Sequence, residues 1–173
     1  MPKQAVSGVA VVALIVLITT IASAQVKVQN AAEMKFAAIP GAPACFTMSV
    51  ERGDPGTGPV TMFIKGTRGC DAPMHFHNVT EQLMMVSGTG YLQMKGDDQV
   101  HTLRAGAFAT APPKHAHHFT CANACEFYVV GDGPFDIHYV DTAGNEISLE
   151  EAAKVSKRLT TAKKMASATE PAH

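Results

Sequence analysis

The chain has 173 residues, and its 14 Lys and Arg nearly balance 15 Asp and Glu, for a formal net charge of −1. That balance supplies no basic stripe for a phosphate backbone. The sequence also lacks a Gly-x-Gly-x-x-Gly or Gly-x4-Gly-Lys-Ser/Thr segment for a nucleotide and a Gly-x-Ser-x-Gly elbow for a serine hydrolase, which leaves metal chemistry or small-molecule binding.

The first segment, residues 1–24, reads as a signal peptide. Lys3 provides one positive charge, Ala5 to Ile21 is an uncharged run rich in Val, Ile, Leu and Ala, and Ala22-Ser23-Ala24 offers a small-x-small cleavage site before Gln25. An uncleaved membrane anchor is the rival, because the run approaches spanning length. No twin arginine precedes the run and no cysteine follows the cut, so the reading is general secretory export to the periplasm or the exterior. Cleavage after Ala24 leaves 149 of the 173 residues, with 13 basic against 15 acidic side chains and a charge of −2, enough for one core.

Residues 25–43 read as an irregular lead-in punctuated by Pro40, Gly41 and Pro43. Short strands are then expected over Phe46 to Glu51 and Val60 to Lys65, joined by the Gly/Pro/Asp loop Gly53 to Pro59. His75-Phe76-His77, Glu81 to Ser87, Tyr91 to Lys95, Gln99 to Leu103, Phe108 to Ala111, His117 to Thr120, Glu126 to Val130 and Asp136 to Val140 follow. Many short strands between turns predict an all-β sandwich or barrel. Ser148-Leu149-Glu150-Glu151 has the form of a capping box, with Leu149, Ala152, Val155 and Leu159 at helical spacing behind it. A single C-terminal helix on the outside of the barrel is therefore expected within 142–173, frayed from Lys163 onward. The strand near Phe46 to Glu51 is an expected open edge.

The chemistry concentrates between Gly69 and Gly88, which spell Gly-x5-His-x-His-x3-Glu-x6-Gly through His75, His77 and Glu81. Strand alternation places His75 and His77 on one face, and Glu81 follows at an even offset. Two imidazoles and a carboxylate on one face suit a divalent first-row metal with open coordination positions. A second cluster, Gly106 to Cys121, holds Pro112, His115, His117 and His118 and can close the coordination sphere through a histidine. Leu83, Met85 and Phe119 share the parity of the ligands and either line the pocket or fill the core. His115 is a candidate for a group behind the ligands or a proton shuttle. His118, His101 and His138 read as strand-surface histidines. The nine methionines are scattered and read as packing rather than copper ligands.

All four cysteines follow Ala24, where an oxidising compartment favours disulfides. Cys121 and Cys125 bracket the short loop Ala122-Asn123-Ala124 and face each other across a hairpin, which leaves Cys45 and Cys70 to pair. A zinc site of His115, His118, Cys121 and Cys125 is the alternative, disfavoured because adjacent strand residues diverge.

The run from Gly69 to Gly88 resembles the first signature of the cupin superfamily at every fixed position. Gly106, Pro112 and His117 meet the second signature, which departs here at Lys114 in place of glycine and Cys121 in place of asparagine. The resemblance extends more weakly over 44–141, where Gly53-Asp54-Pro55 and residues 131–136 look like turns of small exported bacterial cupins. It implies a single double-stranded β-helix barrel with His75, His77, Glu81 and His117 as the four metal ligands. It further implies one divalent ion (Mn, Fe, Ni, Cu or Zn) and a homodimer, the latter also expected from the open sheet edge. Cupins include dioxygenases, isomerases, lyases, decarboxylases and binding proteins, so the reaction stays open. Two classes are carried forward: a metal-dependent enzyme of oxygenase type, with Glu81 moving a proton, and a non-catalytic metal-containing barrel that binds a small ligand. No arginine lies near either signature on ligand parity, so an apolar or aromatic, oxygen-bearing molecule fits better than a sugar acid. Neither class involves nucleic acid or stable membrane insertion.

Overall fold

Alternating apolar residues in strands of two to eight residues build two antiparallel sheets that face each other across the core. A computed structural model describes residues 26–157; the expected signal peptide, residues 1–24, and the tail from 158 lie outside the described residues. The strands are β1 (Ala37–Ala38), β2 (Phe46–Gly53), β3 (Val60–Gly66), β4 (Asp71–Phe76), β5 (Glu81–Ser87) and β6 (Thr89–Met94). They continue as β7 (His101–Arg104), β8 (Phe108–Ala111), β9 (His117–Cys121), β10 (Cys125–Gly131), β11 (His138–Val140) and β12 (Glu146–Ile147). One sheet runs β1-β2-β3-β10-β5-β8 and the other β12-β11-β4-β9-β6-β7. Because the strands alternate between the sheets from β3 to β6 and again from β7 to β11, the chain winds as a jelly-roll, the all-β barrel expected.

The core follows from that winding. Met62, Ile64, Leu83, Met85, Phe119, Phe127 and Val129 are all buried between the sheets. Phe127 on the central strand β10 packs edge-on to Phe46 at 6.3 Å and against Phe119 at 4.9 Å between ring centroids. Phe63, on the outer face of β3, is buried as well, because Tyr128 meets it edge-on at 4.8 Å and Phe36 covers it at 6.2 Å.

The lead-in is more ordered than its composition suggests. Ala31–Glu33 forms a 3-10 turn, and β1 pairs Ala37 with Met48 and Ala38 with Thr47. The start of β2 is thus covered rather than open, which corrects the expected edge. After Ser148 a helix runs from residue 149 to the end of the described region at 157. The Ser148 amide donates to Glu151 Oε2 at 3.0 Å and the Glu151 amide to Ser148 Oγ at 3.3 Å, a reciprocal cap. Ser156 Oγ donates to Asp71 Oδ2 at 2.7 Å, which docks the helix on the outer face of β4.

Both expected disulfides form. Cys45–Cys70 ties the lead-in of β2 to the start of β4, and Cys121–Cys125 closes the β9–β10 hairpin. No free cysteine remains for the zinc alternative.

Candidate metal centre

His75 is the penultimate residue of β4, His77 follows its last residue, Glu81 opens β5 and His117 opens β9. The pairing of β4 with β9 sets His75 directly opposite His117, so residues 42 positions apart become neighbours across a ladder. The three histidines are buried, and their inward ring nitrogens lie within 4.8 Å of one another. Glu81 Oε2 completes the group from the opposing sheet, 3.0 Å from His117 Nε2 and 3.7 Å from His77 Nε2. The tightest grouping is the histidine triad; the carboxylate adjoins two of its members.

Each imidazole is held by its outer nitrogen. His75 Nδ1 donates to the Pro73 carbonyl at 2.7 Å and His117 Nδ1 to the His115 carbonyl at 3.2 Å. His77 Nδ1 donates to the carbonyl of Asp136. A proton fixed on Nδ1 leaves the Nε2 lone pair facing inward, the tautomer a metal ligand needs. Nε2 of His77 is buried with no hydrogen-bond partner, a costly condition that an ion would relieve. Three such nitrogens and one carboxylate fit a divalent first-row ion.

The electrostatics point the same way. Burial, with the charges of His117 and His77 added, holds His75 well below the usual histidine range. Burial also lowers His77, against the pull of Glu81. Both are neutral, competent ligands near pH 7. Burial opposes charge on His117, but the adjoining Glu81 carboxylate more than offsets it and raises its pKa. Burial pushes Glu81 up, yet the His117 charge and hydrogen bond, with His77 and His75 behind them, bring it down to about 2. Without a metal, the Glu81 carboxylate therefore favours a protonated His117.

The four groups sit in a cavity of about 60 Å³ whose other walls are apolar. Leu83, Phe119 and Phe127 come from the barrel, and Ile39, Ala42 and Pro43 from the lead-in. Phe135, Ile137 and Tyr139 come from the segment that leads into and through β11. Phe135 packs against the His77 ring, tilted by 30°, at 4.2 Å between ring centroids. No arginine or lysine lines the cavity, and Tyr139 is its single polar side chain beyond the four. Sequence reasoning missed Ile39, Phe135 and Tyr139, which reach the site only through long-range packing.

The remaining histidines lie elsewhere. His115 is exposed, and its carbonyl rather than its ring touches His117. His118 pairs with Asp71 on the outer face, and His101 lies 3.5 Å from Asp97. His138 bridges Asp136 at 3.0 Å and Glu146 at 3.1 Å, partners that raise its pKa. Leu83 lines the cavity, as does Phe119, while Met85 is core.

Lys114, where the second cupin signature has glycine, keeps a left-handed backbone at φ 62°, and its amide donates to the His77 carbonyl at 2.7 Å. Cys121, where the signature has asparagine, is spent in the hairpin disulfide.

Comparison with known proteins agrees with this architecture. The Cupin domain family model matches residues 66–131. No curated protein matches by sequence. Among solved structures, the polyketide cyclase RemF from Streptomyces resistomycificus is similar at TM-score 0.59 and 17% identity, over 68% of this chain and 87% of that one. An RmlC-like cupin from Shewanella frigidimarina is similar at TM-score 0.50 and 17% identity, over 61% of this chain and 88% of that one. KdgF from Halomonas sp. is similar at TM-score 0.50 and 17% identity, over 64% of this chain and 94% of that one. The interleaved double sheet and the family match over the strands that carry the histidines make this chain a member of the cupin superfamily.

Proposed function

We propose that this chain is an exported metal-dependent cupin enzyme acting on a small apolar or aromatic molecule that bears oxygen, with an oxygenase-type reaction favoured. The observation that carries the reading is the trio of inward Nε2 atoms, each pre-set by a backbone carbonyl, beside one carboxylate in an otherwise apolar cavity. His75, His77, His117 and Glu81 would hold one divalent ion, which supplies Lewis-acid or redox chemistry at an oxygen of the substrate. Four protein donors would hold such an ion without filling the coordination that first-row metals accept, which would leave it open to an oxygen of the substrate.

The protein's own groups do the rest. Phe119, Phe127 and Leu83 exclude water and receive an apolar body, and the absence of a cationic clamp disfavours sugar acids. Glu81 is the one carboxylate in the cavity, and its Oε2, already 3.0 Å from His117 Nε2, is the atom that can hold and pass a proton. Export fits two disulfides, which persist in oxidising compartments. No helix among the described residues is long and apolar enough to cross a membrane. The working form is proposed to be a homodimer, which light scattering at micromolar concentration tests.

Two variants test the centre. His77→Ala should lose most of the metal bound per chain. Glu81→Gln keeps shape and a carbonyl donor, so it should retain much of the metal while oxygen uptake on a panel of phenolic and hydroxyketone substrates falls at least a hundredfold. Wild-type protein that binds metal and such ligands without turnover would make it a binding barrel. A fully stable chain that takes up no metal under any condition would refute both readings.

A further inference from the structure

This inference rests on the metal-centre reading and concerns how a substrate reaches it. A cavity of about 60 Å³ is well below the roughly 150 Å³ that encloses a benzene ring in an engineered core. A wall must therefore move before an aromatic body can lie beside the histidines. Most of the wall is hydrogen-bonded strand and does not open without breaking a ladder. Apart from His77 itself, two lining stretches are not strand.

The stretch that carries Phe135 and Ile137 is pinned. The Phe135 amide donates to the Pro55 carbonyl at 2.7 Å, the Asp136 carbonyl accepts from His77 Nδ1, and the Asp136 carboxylate takes the Asn78 amide at 2.9 Å. Moving it would release His77. The other stretch, residues 39–43, spans the seam between the sheets from β1 to the Cys45–Cys70 bridge. It lays Ile39, Ala42 and Pro43 over the cavity. Its internal turn bond runs from the Ala42 amide to the Ile39 carbonyl at 3.1 Å, and its far end is held to the start of β2 by the Phe46 amide, which donates to the Pro43 carbonyl at 3.0 Å. Among the described residues, a single hydrogen bond ties it to the opposite sheet: the Tyr139 hydroxyl donates to the Gly41 carbonyl at 3.0 Å.

We propose that residues 39–43 are the gate of the cavity and that the Tyr139 hydroxyl is its latch, with β1 and the Cys45–Cys70 bridge as the fixed ends. Opening breaks the Tyr139–Gly41 hydrogen bond, loosens the Ala42–Ile39 turn and lifts Ile39 and Ala42 about the Pro43 carbonyl held by the Phe46 amide, leaving every strand and every histidine anchor in place. Tyr139 is buried and its ring lies 5.8 Å from that of His75, so the same residue forms a wall of the metal pocket and a tie to the gate. The gate, and not the barrel, then sets the size of ligand admitted.

The test is Tyr139→Phe, which keeps the ring and deletes the hydroxyl. Losing one hydrogen bond of ordinary strength should speed opening about threefold to tenfold. Hydrogen–deuterium exchange of the purified, metal-free chain should show the Ala42 amide exchanging faster by that factor, with the amides of β3 and β10 unchanged. In protein loaded with Co2+, removal of the metal by pyridine-2,6-dicarboxylate should accelerate by the same factor while equilibrium Co2+ occupancy stays the same. Ile39→Ala, which weakens the apolar seat of the gate without touching the latch, should act in the same direction. Unchanged exchange at Ala42 would overturn the latch, and faster exchange with unchanged Co2+ removal would overturn the gate. A chain that takes up no Co2+ would refute the metal centre instead, and the latch would then stand or fall on the exchange arm alone.

Discussion

Gly69 and Gly88, the two glycines that frame the first cupin signature, should respond very differently to the same substitution. Both adopt the left-handed region, with φ 75° and 76°. Alanine at either site pays about 1–2 kcal/mol for that conformation, less about 0.4–1 kcal/mol recovered because it stiffens the unfolded chain. At Gly69 nothing lies within 4 Å of an added Cβ, so Gly69→Ala should cost about 1 kcal/mol. At Gly88 the Cβ would lie 2.2 Å from the Ala124 carbonyl oxygen and 2.8 Å from the Cys125 Cα. Both are backbone atoms in the hairpin closed by Cys121–Cys125, which has little room to retreat. Overpacking of this kind adds about 1–3 kcal/mol, so Gly88→Ala should cost roughly 3 kcal/mol. Urea unfolding with disulfides intact, compared at equal m-value, measures the difference. Equal losses at the two sites would show that conformational strain alone governs these turns and that the contact with the hairpin is not a constraint.

Metal uptake below the raised pKa of His117 should expel a proton, because the Glu81–His117 pair holds one there in the metal-free protein; apparent affinity should rise up to about tenfold per pH unit in that range and flatten above it. Calorimetric titration in buffers of different ionisation enthalpy counts that proton, and zero release would contradict the charged pair. Removing Cys45–Cys70, with its sequence separation of 25, should cost about 3.5 kcal/mol by loop entropy, against about 2 kcal/mol for Cys121–Cys125 at a separation of 4. Denaturant unfolding of the two double-serine variants ranks them, and the reverse order would refute the loop argument. The exported product should begin at Gln25, which intact mass reads directly; retention of residues 1–24 would indicate an anchor.

Strands were legible where a short apolar stretch stood between turn residues: β5 and β8 have the expected bounds, Glu81–Ser87 and Phe108–Ala111. β1 was not, since Ala37 and Ala38 carry no alternation and pair only because β2 offers its edge. The expected strand from Asp136 starts two residues later, at His138, because Asp136 is engaged with Asn78 and His77. At the site, the side chains of the two signatures were legible from residue type and spacing. Their supports were not. The carbonyls of Pro73, His115 and Asp136 orient the rings, and a carbonyl belongs to every residue, so no pattern marks it. Ile39, Phe135 and Tyr139 reach the cavity from distant segments, beyond what local period can report.

Lys114 shows how a departure from the signature is absorbed. Its left-handed backbone costs about 1–2 kcal/mol that glycine would not incur, and no other non-glycine residue among those described adopts a positive φ. The conformation persists because the turn it makes is fixed at both ends. On one side its amide caps the His77 carbonyl at 2.7 Å, and on the other the His115 amide closes on Pro112 at 3.1 Å before β9 delivers His117. A lysine that relaxed to a negative φ would withdraw its amide from His77 and shift the register of His117. The two signatures, 37 residues apart at Gly69 and Gly106, are thus joined by backbone hydrogen bonds at the rim of the site. The identity of residue 114 matters less than the direction in which its N–H points.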